Sequence, residues 1–353
     1  MRRLVVFFLL FFSFIRVFFV VTSRKLFLIW VRLELGTFRV VPILYLRDTS
    51  RRVEASLKYF VVKIISALIF LLGAFNLKFC LGRWGLVIKD DLFCRRLLFL
   101  PLCIKIGLAP FHFWFPEVVQ GIGYLQGFLI STWQKVSPIY LCCVFSSKVE
   151  KLCLFLGRLS VLVGGWGGLN QTQVRKILGF SSISFMGWIF CSIVCGAFVV
   201  FSLFIVYFFV SGSLFLVLNF TRLFRLSMIG KIKGKPIFIC LLICRIISLG
   251  GLPPFSGFIL KIIPIWVVIM KNRIFFLLLL IPGALLSLFF YLRLLFNIGF
   301  LLPPVRLGRV NLSRFHKLSK ISSYFIGWFI RFSLLGFLFL GFFFSLVFRS
   351  EAI

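Results

Sequence analysis

Apolar residues run along this chain in blocks of about 20, separated by short polar connections. A block of that length can cross the hydrocarbon core of a bilayer as a helix. The pattern predicts about eleven such helices, at 4–21, 26–46, 54–77, 95–115, 122–145, 152–169, 176–195, 197–220, 236–268, 274–299 and 322–348. The longer polar stretch 300–321, with Pro303 and Pro304, predicts a connection lying along the membrane surface. The first block, MRRLVVFFLLFFSFIRVFFVV, resembles a signal peptide in charge and hydropathy. It has no small-residue cleavage site and a second block follows at once, so it reads as a first membrane helix. The fold class is therefore an all-α polytopic membrane protein, with residues 1–353 forming a single membrane domain.

Two blocks contain residues that break a helix. KIGLAPFHFWFPE carries Gly107, Pro110 and Pro116, and SLGGLPPFSGFILK carries Gly250, Gly251, Pro253, Pro254 and Gly257. Proline removes a helical hydrogen bond and glycine frees the backbone. At membrane depth the released groups must meet protein or water. Discontinuous helices of this kind mark ion and substrate sites in transporters. Block 236–268 is too long for one straight span and too short for two, which favours a broken helix over a loop between two helices.

Composition agrees: 61% of the chain is hydrophobic, against about half in a soluble domain. The formal net charge is +33, from 41 Lys and Arg against 8 acids. Such an excess raises nucleic acid as a partner. Here, however, the basic residues cluster between apolar blocks, at Arg51–Arg52, Arg95–Arg96, Lys231, Lys233 and Lys235, and Arg314, Lys317 and Lys320. That is the pattern of membrane loops, and it argues against nucleic acid. The excess is greater on the N-terminal side, which predicts an N-terminus on the matrix or cytoplasmic face. Ten scattered Cys without a CxxC, and two distant His, predict neither a disulfide framework nor a metal site.

With eight acids, each can be weighed. Asp48, Asp90, Asp91, Glu150 and Glu351 fall in connections or at the end. Glu34 falls inside the second block, in IWVRLELGTF. It is either a local partner of Arg32 or Arg39 or a carboxylate buried in the bundle. Lys105 precedes the first break, Lys135 sits mid-block in FLISTWQKVSPIYL, and Lys261 follows the second break. A charge at the centre of a membrane helix costs roughly 2.5–3.5 kcal/mol. A pair at about 4 Å recovers on the order of 4 kcal/mol at an effective dielectric of about 20. Glu34 can serve one lysine at a time, so the others must meet water or share protons. A row of such lysines could hold and release protons as neighbouring charges change. Arg16, Lys63 and Arg293 are better read as side chains snorkelling to an interface. His112, just past the first break, is either a proton relay or a satisfied buried histidine. Glu54 and Lys58 form a local pair at the start of the third helix, and Glu117 is the remaining acid near a block.

KIGLAPFHFWFPEV, STWQKVSPIYL, GGLNQTQVRKILGFSSISFMGW and GGLPPFSGFILK occur in this order; with LELGTF and VEASLKYF they span roughly residues 26–265. In these segments the chain resembles the family of mitochondrially encoded NADH dehydrogenase subunit 2, the antiporter-like subunits of respiratory complex I. The resemblance implies an antiporter-like fold with two discontinuous helices, an eleven-helix animal form and a core of about 26–299. It implies the mitochondrial inner membrane and a proton-translocating role driven by quinone reduction elsewhere in the complex. Glu34 matches the family's buried glutamate, Lys105 its partner on the broken helix, and Lys135 the bridging lysine. Lys261 matches the lysine that passes charge toward the neighbouring antiporter-like subunit. No cofactor is implied for this chain, since NADH, FMN, iron–sulfur clusters and ubiquinone are used elsewhere. The implied partners are antiporter-like subunit 4, small subunit 4L, accessory subunits and phospholipids including cardiolipin. The chain departs from the pattern at Lys63, where an uncharged polar residue is usual, and at Arg39, whose charge competes with Lys105 for Glu34. Two other functions would use the same charges. One is a stand-alone cation/proton antiporter, and the other a structural spacer whose buried charges hold the bundle together.

Overall fold

A computed structural model describes residues 2–45, 49–82, 85, 92–146, 149–221, 223–224, 236–253, 255–271, 275 and 277–301. The predicted helix 322–348 and the connection 300–321 beyond Leu301 lie outside the described residues, as do Asp48, Asp90, Asp91, Glu351, Pro254 and the basic clusters from Lys231 and from Arg314. The described helices are α1 (Arg2–Thr22), α2 (Leu26–Leu44), α3 (Ser50–Leu81), α4 (Leu92–Ile106), α5 (Trp114–Gly121) and α6 (Tyr124–Phe128). A π-helical turn, Leu129–Trp133, leads from α6 into α7 (Gln134–Phe145). Then follow α8 (Glu150–Leu169), α9 (Val174–Cys191), α10 (Ala197–Thr221), α11 (Pro236–Gly250), α12 (Ile259–Met270) and α13 (Leu277–Leu301). Among the described residues there is no strand, only an isolated bridge between Lys25 and Gly85.

The first ten predicted blocks are all helical, and the two expected to break do so. Among the described residues, 6 helical runs are long and apolar enough to cross a membrane. They correspond to α3, α6 through α7, α8, α9 with its 3-10 extension, α10 and α13. The halves of the broken spans are too short to qualify singly, and α2 carries Arg32, Glu34 and Arg39.

The chain divides into two compact units, Met1–Gly157 and Arg158–Ile353. In the first, α1 and α2 run antiparallel. Arg32 bonds the Phe19 carbonyl and Arg39 the Phe12 carbonyl, each also lying over that residue's ring. The helix α3 packs against α2, α4 and α5, while α7 packs against α4 and α1. Side-chain donors tie these helices across the unit: Trp30 Nε1 to the Ala67 carbonyl at 3.0 Å, and Trp133 Nε1 to the Ser13 carbonyl at 3.1 Å.

In the second unit α9 is buried along nearly its whole length. Gly164 and Gly167 of α8 face α9, while Gly165 and Gly168 face α13. A Cβ at Gly164 would stand 2.7 Å from Ser184 N, and one at Gly165 would stand 2.9 Å from Leu286 Cβ. Small residues let helices approach backbone to backbone where lipid offers no hydrophobic drive between them. The outer faces carry exposed large apolar residues such as Phe18, Phe38, Leu72, Phe198 and Phe289, a surface suited to lipid and not to water.

Candidate functional site

The first break begins where α4 ends. Gly107 turns at φ +82, a conformation that costs glycine little, and the backbone leaves the helix until α5 starts. Pro116 falls in the first turn of α5, where a missing N–H breaks no intrahelical bond. Lys105 lies in the last turn of α4, 3% exposed, and its Nζ has no hydrogen-bond partner among the described residues. Its carbonyl does have one, because Nζ of Lys63 on α3 donates to it. The Lys63 ammonium also stands 4.8 Å from the Trp114 ring centroid and 5.3 Å from that of Tyr59, within cation–π range.

Lys63 and Arg16 therefore do not snorkel as expected: each is only 4% exposed. The cause is the face each occupies. Lys63 points at the junction of α4 and α5. Arg16 lies in the space left by Gly36 on α2, where a Cβ would overlap its guanidinium. Arg293 is half-buried, with its guanidinium on the Leu169 carbonyl.

Lys135 follows the π turn directly. The Gln134 N–H reaches back to the Leu129 carbonyl, and the Ser131 and Thr132 hydroxyls both donate to the Phe128 carbonyl, at 3.1 and 2.7 Å. Widened turns of this sort occur often at functional sites. Lys135 is 1% exposed, its Nζ has no hydrogen-bond partner among the described residues, and it sits 4.2 Å from the Phe115 ring centroid of α5. Sequence reasoning missed this turn. The available signal was the adjacent pair Ser131–Thr132, whose hydroxyls compete for backbone carbonyls.

Glu34 is half-buried on α2. Its Oε2 accepts from Thr37 Oγ1 at 3.1 Å, while Oε1 is buried without a partner among the described residues. Arg32 and Arg39 are turned to α1 instead, so the local pairing considered for Glu34 does not occur, nor does the anticipated competition from Arg39. Among the described residues Glu34 forms no ion pair, with Lys105 or any other cation. Glu34 and Lys105 are nevertheless within electrostatic reach of each other, and Lys63 is within reach of both, of Arg16 and of Lys135. The first unit thus gathers Glu34, Lys105 and Lys135 within electrostatic reach of a third buried lysine, Lys63.

His112 is buried within the break. Its Nδ1 is 3.1 Å from the Pro110 carbonyl; since a carbonyl only accepts, that nitrogen carries the proton. Lys58 bridges two carboxylates at 2.7 Å each, Glu54 on its own helix and Glu117 on α5. The second contact spans 59 positions and was not legible from local spacing.

Lys261 lies in the second unit, 8% exposed, near the start of α12. Its Nζ donates to the Gly250 carbonyl at the end of α11, at 2.6 Å, and to Ser287 Oγ of α13 at 3.3 Å. Gly257 approaches so closely that a Cβ there would overlap the Ser248 carbonyl, which explains the glycine after the second break.

Broken helices with buried lysines at the breaks, a half-buried carboxylate within reach of the first, and a further buried lysine behind a π turn define a polytopic membrane protein of the antiporter type. The family described as NADH:quinone oxidoreductase/Mrp antiporter, TM matches residues 23–287. NADH-ubiquinone oxidoreductase chain 2 of Paracentrotus lividus is 42% identical over 290 residues, covering 82% of this chain and 82% of that protein. The corresponding proteins of Pisaster ochraceus and Xenopus laevis are 43% and 36% identical, over 84% and 81% of this chain and 85% and 84% of theirs. A chain of respiratory complex I from Thermus thermophilus with bound aureothin shares the fold, with a TM-score of 0.83 at 24% identity over 95% of this chain and 78% of that one. So does a chain of the Mrp complex from Dietzia sp. DQ12-45-1b, with a TM-score of 0.75 at 20% identity over 82% and 60%. The chain belongs to the NADH:quinone oxidoreductase/Mrp antiporter transmembrane family, and within it to the NADH-ubiquinone oxidoreductase chain 2 proteins.

Proposed function

We propose that this chain is the proton-translocating, antiporter-like subunit 2 of complex I in the mitochondrial inner membrane, with its N-terminus on the matrix side. The observation that carries this reading is the pair of ammonium groups, on Lys105 and Lys135, buried without a hydrogen-bond acceptor among the described residues, with the half-buried Glu34 carboxylate within electrostatic reach of Lys105. A buried ammonium of that kind needs water or gives up its proton. Its charge therefore follows that of its neighbours. A change of charge at Glu34 is felt at Lys105, and the low dielectric of the site strengthens the coupling. Lys261 extends the same chemistry into the second unit and passes charge toward the neighbouring antiporter-like subunit. His112 keeps Nε2 available for relay while Nδ1 is held by Pro110.

Quinone reduction elsewhere in the complex drives this movement. The chain itself performs no redox step, and NADH, FMN, iron–sulfur clusters and ubiquinone belong to other subunits. Its neighbours are antiporter-like subunit 4, small subunit 4L and accessory subunits. Cardiolipin and other phospholipids sit against the basic connections.

Glu34→Ala and Lys135→Ala, in assembled complex, are expected to lower the number of protons moved per NADH oxidised. An unchanged ratio in both variants would overturn the reading and favour a structural spacer. The family description, which names the Mrp antiporter beside NADH:quinone oxidoreductase, keeps an antiporter outside complex I as the second reading. Native electrophoresis separates the two, because a complex I subunit migrates with the large assembly and a stand-alone antiporter as a lone oligomer.

A further inference from the structure

Lys63 differs from Lys105 and Lys135 in that its ammonium has partners. One N–H goes to the Lys105 carbonyl, and the charge rests between the faces of Trp114 and Tyr59. That carbonyl belongs to the last turn of α4, where a helix runs out of internal donors. The residue that would serve it in a continuing helix, Ala109, lies in the non-helical turns of the break. At membrane depth such a carbonyl must be met by protein or water. A cation there also faces the negative end of the helix dipole.

The second unit solves the same problem with a different residue. Lys261 donates to the Gly250 carbonyl, which ends α11. In each broken span, then, a lysine closes the end of the first half-helix. At the second break the closing lysine is the one on the path. At the first break it comes from another helix, and the ammonium of the lysine at the break has no hydrogen-bond partner among the described residues.

We propose that Lys63 is a positioning residue of the proton path: it closes the C-terminal end of α4 on the Lys105 carbonyl and so leaves the Lys105 ammonium free for proton exchange. The proposal rests on the proton-path reading given above. Its described partners, a carbonyl and two aromatic faces, are groups that hold an ammonium without taking its proton. What position 63 requires is a hydrogen-bond donor of the right reach, not a titrating group.

The test is made in assembled complex, by measuring protons moved per NADH oxidised. Lys63→Met, which keeps the length but removes the donor, is expected to lower the ratio by this subunit's share of the protons moved, the same loss as in Lys105→Met. Lys63→Gln, which restores a donor without a charge, is expected to restore the ratio. A wild-type ratio in Lys63→Met overturns the proposal. So does a lowered ratio, or loss of assembly, in Lys63→Gln, whether or not Lys63→Met assembles. Lys105→Met serves as the control. An unchanged ratio there sinks the proton path itself, while a lowered ratio beside a normal Lys63→Met sinks only the role of Lys63.

Discussion

Gly251 serves two needs at one position. Its backbone turns at φ +75, and a Cβ would come within 2.8 Å of Lys261 Cδ and 3.1 Å of its Nζ. Gly251→Ala should therefore cost about 1–2 kcal/mol in backbone strain alone. It should also push the Lys261 ammonium off the Gly250 carbonyl. The expected result is a lower thermal midpoint of the solubilised complex together with a reduced proton-to-electron ratio. Lys58 makes the opposite case. Its two carboxylate contacts are short but exposed, so Lys58→Ala should leave the thermal midpoint nearly unchanged in the same assay. Residues also mark where sequence reading stops. Lys105, Lys135 and Lys261 were legible because a charge deep in an apolar block has few innocent explanations. Arg16 and Lys63 presented the same signal. Whether such a side chain snorkels or is buried depends on which helix covers its face, and that is a tertiary fact absent from local pattern.

Helical elements were legible where glycine and proline spoke for them. Both breaks followed from that chemistry. The π turn did not, because it requires neither residue and leaves hydropathy unaltered. One further regularity belongs to this scale. Lys135 and Lys261 are each followed three residues later by a proline, Pro138 and Pro264, inside α7 and α12. Each proline lacks the N–H that would return to the carbonyl four residues back, so the carbonyls of Gln134 and Leu260 lose their helical donor immediately before the lysine. Pro138→Ala would restore that donor and remove a helix penalty of up to about 3 kcal/mol. It is expected to raise the thermal midpoint while lowering proton transfer. A variant more stable and fully active would show that the softened turn has no part in function.

Across the whole molecule, membrane character was readable from composition, and membership of the family from the order of a few motifs. The number of spans was less so: breaks shorten helices below the length that marks a span, and charges in α2 dilute its hydropathy. Orientation also belongs here. An N-terminal epitope should resist protease in intact mitoplasts and be cleaved only after the inner membrane is opened; cleavage in intact mitoplasts would reverse the assignment. The glycine face of α8 carries a mechanical meaning of its own. Gly164 meets the backbone of α9 at Phe180 and Ser184, and Gly165 that of α13 at Gly283 and Ser287, while Gly167 and Gly168 receive the Phe180 and Phe290 rings. Rotamers give way under load like springs, and backbones in contact do not. A displacement of α9 or α13 should therefore reach α8 most directly at Gly164 and Gly165, with the two rings yielding beside them.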